Sequence, residues 1–359
     1  MKRDRIIVMI TGAGAPGAPG IIKSLRHNGE REIEIIGVDV DDQFSSGMGM
    51  VDFFYKIGTP DRETEFLQEI FEIAIKHSVQ VIIPLVTQEL FVFSKHRAMF
   101  SEKKINLLVS DFEPLQIAND KFKLMTFCKD NKIPVPEFYR VRSFEEFNTA
   151  LNLLSYPDKT ICFKPPVSNG LRGFRIMTRP GKVDKMDLFL NQKPNNVYLD
   201  FEEFTHIVNS SSYFPELLVM EFLEGEEYSV DVLANKGSCI EVVPRSRDKI
   251  KMGISFSGTL KNDQKIVEYS KEIVEGLGLH GNIGFQFIKD RDGVPKIIES
   301  NPRVQGTIVF NTAAGFNMVY NAVKLAMNEE IPKHTIKWGM KMIRYWEEVY
   351  LYNGEVIRI

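Results

Sequence analysis

The chain has 359 residues and a mass of 41.1 kDa, which at roughly 100 to 200 residues per domain implies two or three domains with ample material for buried cores. Hydrophobic residues make up 43% and charged residues 26%, with 25 Gly and 17 Pro, a composition that excludes disorder, collagen and coiled coil. Lysine and arginine number 45 against 48 acidic residues, and the net charge of -3 leaves no electrostatic footprint for nucleic acid or an anionic membrane.

The start, Met1-Lys2-Arg3-Asp4-Arg5, is basic like that of an export signal, but the apolar run behind it ends at Ile10. No apolar stretch approaches the ~18 to 20 residues that cross a bilayer, so a cytoplasmic protein is expected. Cys128, Cys162 and Cys239 are widely spaced without a C-x-x-C pair, which reads as three small buried side chains. The six histidines match no zinc or catalytic spacing.

In chain order, a short β-branched segment (Ile6, Ile7, Val8, Ile10) runs into a glycine-rich turn, a helix-like stretch over 20–26, and a second apolar segment over 33–40 that ends among Asp39, Asp41 and Asp42. Strand, turn, helix, strand is the signature of a parallel α/β unit. Helical spacing of Phe66, Ile70, Phe71, Ile73 and Ala74 predicts a helix over 65–77, and 79–84 reads as a buried strand. Residues 1–118 are therefore expected to form one open parallel-sheet, Rossmann-like domain. After a break at 111–114 and a helix-like 120–130, Pro134-Val135-Pro136 enforces an extended connector. Strands are expected over 161–164, 217–222, 228–233, 239–243, 283–289 and 295–300, punctuated by turns such as Asn235-Lys236-Gly237 and Asp292-Gly293. The tail over 341–359 carries an Asn353-Gly354 hairpin signal and is expected to add strands to an existing sheet. The fold class is thus α/β followed by α+β.

Two stretches are candidate nucleotide sites. Gly12-Ala13-Gly14-Ala15-Pro16-Gly17 is a literal G-x-G-x-x-G after a strand, with Asp39 at a distance suited to a ribose hydroxyl, which taken alone points to NAD. Pro16 and Pro19 weaken that reading, because each removes a backbone N–H from a loop that would bind pyrophosphate through such groups. The second stretch rests on strand geometry. If Asp292-Gly293 is a two-residue hairpin turn, Gln286 faces Glu299, and Asn301 shares the sheet face of Glu299. One carboxylate and two amides suit Mg²⁺, which takes oxygen ligands and keeps waters or substrate phosphates in its remaining positions. Lys164 ends an apolar strand ahead of a polar turn, 165–173, whose amides could cover phosphates. A strand ending at Glu221 precedes Glu226, Glu227 and Asp231, in positions to meet an adenine edge and ribose hydroxyls.

Together these residues resemble the ATP-grasp superfamily, most closely the ATP-grasp halves of carbamoyl phosphate synthase and related carboxylate-amine ligases. The resemblance spans nearly the whole chain: Ile10-Thr11-Gly12-Ala13-Gly14, Asn119-Asp120-Lys121, Phe163-Lys164-Pro165, Met220-Glu221-Phe222-Leu223-Glu224-Gly225, Gly284-Phe285-Gln286-Phe287 and Glu299-Ser300-Asn301-Pro302-Arg303. It implies an ATP-grasp fold preceded by a pre-ATP-grasp domain at 1–118, with a small subdomain at 119–220, a large metal-bearing subdomain at 221–335 and C-terminal strands at 336–359. It further implies that Lys121 and Lys164 contact ATP phosphates beneath a loop carrying Ser168, Asn169, Gly170 and Gly173. Glu221, Phe222 and Leu223 would meet adenine, Glu227 the ribose, and Gln286, Glu299 and Asn301 the Mg²⁺, with Mn²⁺ as a substitute. Arg303 would stand beside the transferred phosphoryl group, and Arg245 and Arg247 would face an acyl phosphate. For these two, spacing alone also allows a solvated strand face.

The implied activity is ATP-dependent ligation of a small-molecule carboxylate to an amine through an acyl phosphate, releasing ADP and phosphate. Substrate choice is assigned to Thr87, Gln88 and Glu89 of the leading domain and to Gln305, Gly306 and Thr307. Homodimers are common among relatives of this kind. The chain departs from carbamoyl phosphate synthase in carrying one set of motifs where that enzyme pairs two, and in lacking any resemblance to a glutaminase cysteine site. The alternatives are an NAD-dependent oxidoreductase built on Gly12 to Gly17 and a non-catalytic nucleotide-binding regulator.

Overall fold

A computed structural model describes residues 4–42, 46–168, 172–191, 197–251, 253–345, 347–348, 350–352 and 355–357. Strands β1 (Ile6–Thr11), β2 (Ile33–Asp39), β3 (Phe53–Lys56), β4 (Val81–Pro84) and β5 (Asn106–Leu107) form a parallel sheet in the order β3-β2-β1-β4-β5. Its inner strands read as near-continuous apolar runs because both faces are covered. Val8 and Ile10 point into a core with Ile21, Ile22 and Leu25 of helix α1 (Ala18–Arg26). Met9 points the other way, toward Phe66 and Ile70 of α2 (Glu63–Lys76) and Leu90 and Phe93 of α3 (Thr87–Lys95). Helices α4 (Arg97–Ser101) and α5 (Phe112–Asn119) complete this region.

Asp120 caps α6 (Lys121–Asp130) by accepting from the Phe122 and Lys123 amides, which fixes Lys121 at the helix's first position. A second sheet follows, in the order β6-β10-β7-β8-β9, from β6 (Phe138–Val141), β7 (Ile161–Lys164), β8 (Arg175–Met177), β9 (Tyr198–Leu199) and β10 (Leu217–Glu221). Helices α7 (Phe144–Leu153), α8 (Lys185–Leu190) and α9 (Phe201–Asn209) accompany it, and Phe147, Phe163 and Phe204 make its aromatic core with ring centroids 4.4–5.5 Å apart.

The third sheet is antiparallel, β12-β11-β15-β16, from β11 (Glu227–Asn235), β12 (Ser238–Ser246), β15 (Gly281–Lys289) and β16 (Pro295–Asn301). Strands β13 (Lys249–Lys251) and β14 (Ile254–Thr259) precede α10 (Gln264–Leu277), which packs on this sheet, opens with an Asp263 cap and stops at Gly278 with φ 75°. Helices α11 (Val309–Ala313) and α12 (Met318–Ala326) pack against α1, so one core joins the leading sheet to the C-terminal half.

The hairpin that carries the metal candidates is built differently from its expected form. Lys289 pairs with Pro295, Gly293 takes φ +77°, and its N–H donates to the Asp290 carbonyl at 3.0 Å, which describes a three-residue loop with a left-handed glycine instead of a two-residue turn. That loop shifts the register by one, and a bulge opposite the Gln286–Phe287 step shifts it back. Gln286 therefore faces Glu299 as expected, through two departures that cancel.

The tail also differs in part from expectation. Strand β17 (Lys341–Ile343) does join β14 in a three-stranded sheet, β13-β14-β17, but β18 (Tyr350–Tyr352) and β19 (Glu355–Ile357) pair only with each other. The expected hairpin residues Asn353 and Gly354 lie outside the described residues.

Gly17 caps α1 where the leading domain meets the 303–307 loop, and a Cβ there would stand 2.5 Å from the Gly306 Cα. Backbone on both sides leaves no flexible atom to yield. Gly17→Ala is expected to destabilise the protein by about 1–3 kcal/mol, seen as a lower urea midpoint; an unchanged midpoint would show that the two segments separate freely.

Candidate active site

The glycine loop after β1 is closed on itself. The Ala13 N–H donates to the Val38 carbonyl (3.0 Å), Gly14 N–H to Asp39 Oδ2 (2.6 Å) and Ala15 N–H to the Gly12 carbonyl (2.9 Å). Asp39 also accepts from the Asp41 N–H through Oδ1 at 3.0 Å. The carboxylate placed for a ribose in the NAD reading instead holds the loop, and the amides of Ala13, Gly14 and Ala15 are occupied. The glycines serve the turn at Gly12, with φ +66°, and the approach of Gly17 to Gly306.

The second candidate stretch converges. A cleft of about 470 Å³ opens between the second and third sheets and is lined by Lys164, Glu221, Phe222, Leu223, Glu227, Arg247, Gln286 and Glu299, eight of the residues expected there. At its inner end the Glu299 carboxylate lies 3.5 Å from Lys121 Nζ and 3.8 Å from Lys164 Nζ. Each lysine comes from a different element, α6 and β7, and the carboxylate from β16. Burial pulls Lys121 below its ordinary value, with Lys164 acting in the same direction and Glu299 opposing. Asn301 Nδ2 donates to Glu299 Oε1 at 3.1 Å, and Gln286 Oε1 accepts from Arg247 at 3.3 Å. Two amides and a carboxylate on one face of a hairpin fit a hard divalent cation that keeps phosphate or water ligands. Among the described residues no cluster of three His, Cys, Asp or Glu offers a closed cage.

Arg247 is held tightly. It donates to Glu227, to the Gly253 carbonyl (2.7 Å) and to Ser255 Oγ (3.0 Å), so the carboxylate assigned to ribose faces the cleft already paired. Burial raises Glu227 despite the opposing Arg247 charge. Glu221, at the strand end, accepts from Lys296 Nζ at 3.0 Å and from the Glu137 N–H at 3.2 Å. Lys296 is not among the sequence candidates; it lies on β16, in a different sheet from the strand that ends at Glu221, and gives no local signal. Lys121 Nζ donates to the Ser168 carbonyl at 2.9 Å, and Gly173 needs its missing Cβ, which would stand 2.6 Å from Pro165 Cδ. Asn169 and Gly170 lie outside the described residues.

Arg303 reaches the other way, toward the leading domain. Its Nε donates to Thr87 Oγ1 at 3.2 Å and one terminal nitrogen to the Val304 carbonyl at 2.9 Å. Burial lowers its pKa and the Glu299 charge opposes that shift. Thr87 opens α3, and two residues on, Glu89 accepts from Thr11 Oγ1 at 2.5 Å. Gln88 is exposed. Arg344, which follows β17 and was likewise no sequence candidate, donates to the Gly306 carbonyl. Arg245 differs from its expected placement. It is 1% exposed and its guanidinium is turned away from the cleft, toward Asp231, Gln305 and Thr307.

Residues 213–347 match a family model described as ATP-grasp in the biosynthetic pathway with Ter operon. The chain is 25% identical over 239 residues to the carbamoyl phosphate synthase large chain of Clostridium acetobutylicum, a match covering 63% of this chain and 20% of that one. It therefore spans about a fifth of that relative. Among solved structures, N5-carboxyaminoimidazole ribonucleotide synthetase in complex with ADP superposes with a TM-score of 0.67 at 16% identity, covering 95% of this chain and 81% of the other. The biotin carboxylase domain of 2-oxoglutarate carboxylase from Hydrogenobacter thermophilus, solved with MgADP, ADP and bicarbonate, gives 0.66 at 18% identity, covering 93% and 73%. The architecture of the chain thus fits an ATP-grasp fold. Its ATP-grasp domain is homologous to that of the carbamoyl phosphate synthase large chain. Among the described residues no helix is long and apolar enough to cross a membrane.

Glu89 is 3% exposed, and burial raises its carboxyl to about 7, with the Asp39 charge adding to the rise and the Thr11 hydrogen bond opposing it. A carboxyl raised on folding contributes stability that is complete below the unfolded value near 4.5 and is lost as pH climbs through about 7. The loss across that window is about 3 kcal/mol. Urea titrations at pH 5, 6, 7 and 8 should show Glu89→Gln gaining on the unmodified protein as pH rises; a pH-independent difference between the two would contradict this environment.

Proposed function

We propose that the protein is an ATP-dependent carboxylate-amine ligase working through an acyl phosphate. The observation that carries this reading is the meeting of Gln286, Glu299 and Asn301 on one face of the β15–β16 hairpin, with Lys121 and Lys164 closing on Glu299. A triphosphate entering the cleft would take over the two lysines, freeing Glu299, with Gln286 and Asn301, to hold a magnesium ion. That ion, when bound, supplies positive charge to the bridging phosphates. Glu221 and the backbone at Phe222 and Leu223 read the adenine, and Glu227 the ribose.

In the first step a carboxylate oxygen of the acceptor attacks the γ-phosphorus, the bond to the bridging oxygen breaks, and ADP leaves. An amine then attacks the acyl carbon, phosphate departs with the C–O bonding pair, and the amine loses a proton. Arg303, half-buried beside Thr87 and close enough to Glu299 to feel its charge, would stabilise the equatorial oxygens of the moving phosphoryl group. Arg247 faces the same cleft. Neither step needs a protein nucleophile. Burial pushes each of the three cysteine thiols up to about 12, out of reach as thiolates. Manganese would serve in place of magnesium, and a homodimer in the cytoplasm accords with the resemblance.

The oxidoreductase reading loses its support in the self-satisfied glycine loop. Mg-ATP should therefore raise the melting temperature and NAD should not. A phosphate-release screen of amino acids and other carboxylates, each paired with amines, identifies the acceptor. Glu299→Gln and Arg303→Ala are each expected to cut ADP formation at least ~10²-fold while the protein stays folded, and near-normal turnover in either would refute the ligase mechanism. A regulator that binds nucleotide without turnover would show the thermal shift and no ADP with any pair.

A further inference from the structure

Arg245 and Asp231 are each 1% exposed and lie on neighbouring strands, β12 and β11. They form an ion pair in a buried place, where a lone charge would be heavily penalised. The rest of the network points to the loop after β16. Arg245 donates to Gln305 Oε1 at 2.9 Å and to Thr307 Oγ1, and Asn311 Nδ2 donates to Asp231 Oδ2 at 2.8 Å. Gln305 Nε2 in turn donates to the Val230 carbonyl at 3.2 Å. To reach that carbonyl the Gln305 side chain lies flat across Gly284 on β15, where a Cβ would stand 1.8 Å from Nε2 and 2.3 Å from Cδ. Gly284 pairs with Asn301, and two residues along is Gln286, so the space for Gln305 is cut into the metal-bearing hairpin itself. The same short loop begins with Arg303, meets Gly17 at Gly306, and is held from the tail by Arg344.

We infer that the Asp231–Arg245 pair anchors the 303–307 loop and that Arg245 is a positioning residue, fixing Arg303 against Thr87, with no contact to the transferred phosphoryl group. This rests on the ligase reading for the role of Arg303, but the anchor itself is a statement about the loop. Glycine is required at 284 for the same reason: it leaves room for the side chain that ties the loop to Arg245. The charge that the resemblance places opposite an acyl phosphate is thus consumed in the interior, and Arg247 is the arginine of this segment that faces the cleft.

The test is hydrogen–deuterium exchange of the full chain with Mg-ADP titrations alongside. Gln305→Ala leaves the ion pair in place, and it should speed exchange of the amides over 303–310 at least tenfold while the Kd for Mg-ADP stays within twofold. Gly284→Ala should speed exchange of the same amides by displacing Gln305. Gln305→Glu keeps the acceptor for Arg245 but loses the donor to the Val230 carbonyl, so it should restore slow exchange in part. Unchanged exchange over 303–310 in Gln305→Ala overturns the inference, as does acceleration spread evenly over the third sheet with loss of Mg-ADP affinity, which is what general loosening would give. Asp231→Asn tests the ion pair directly; should it fail to fold, the Gln305 variants still decide. If the unmodified protein does not bind Mg-ADP, the ligase reading fails, and the exchange pattern alone judges the anchor.

Discussion

A single carboxylate shared by two lysines from different parts of the fold organises the site. Glu299 draws Lys121 from the start of α6 and Lys164 from the end of β7 to one point, at 3.5 and 3.8 Å. One anion between two cations leaves this cluster with surplus positive charge, and a low-dielectric setting strengthens its pull on an anion. In the proposed mechanism a triphosphate would cancel that surplus, and a cation accompanying the phosphates would then find Glu299 free.

The rest of the structure can be followed outward from that point. The β15–β16 hairpin aims Glu299, Gln286 and Asn301 at one face because its register brings them there, and the loop beyond Asn301 turns Arg303 toward the leading sheet. The leading sheet supplies an abutment, with α1 against α11 and α12 in one core and Gly17 against Gly306 in backbone contact. Its glycine loop, with the amides of Ala13 and Gly14 bonded to β2 and that of Ala15 to Gly12, is a structural corner.

Much of this was legible in the sequence because it is local or periodic. Apolar runs gave β1, β4 and β7, helical spacing gave α2, and the opposition of Gln286 and Glu299 followed from strand geometry. That last reading was correct for an instructive reason: a two-residue turn was inferred, the chain makes a three-residue loop, and a bulge that no composition signals restores the pairing. What escaped is non-local. Arg245 sits at the same strand period as Arg247 and on the same face, yet one is sealed against Asp231 and the other opens on the cleft, a difference set by what covers that face at each point along the strand. Arg344 and Lys296 approach the site from distant segments, and Asp39 folds back on its own loop only because Gly14 presents an N–H there.

The most direct test of the account is the position of a nucleotide-bound metal. In crystals grown with Mn²⁺ and ADP, anomalous scattering should place the ion on the β15–β16 hairpin, at coordination distance, about 2.1 to 2.3 Å, from a Glu299 oxygen, with Lys121 and Lys164 turned to the phosphates. A metal found away from Glu299, or ADP lodged at the Gly12 to Gly17 loop, would contradict it.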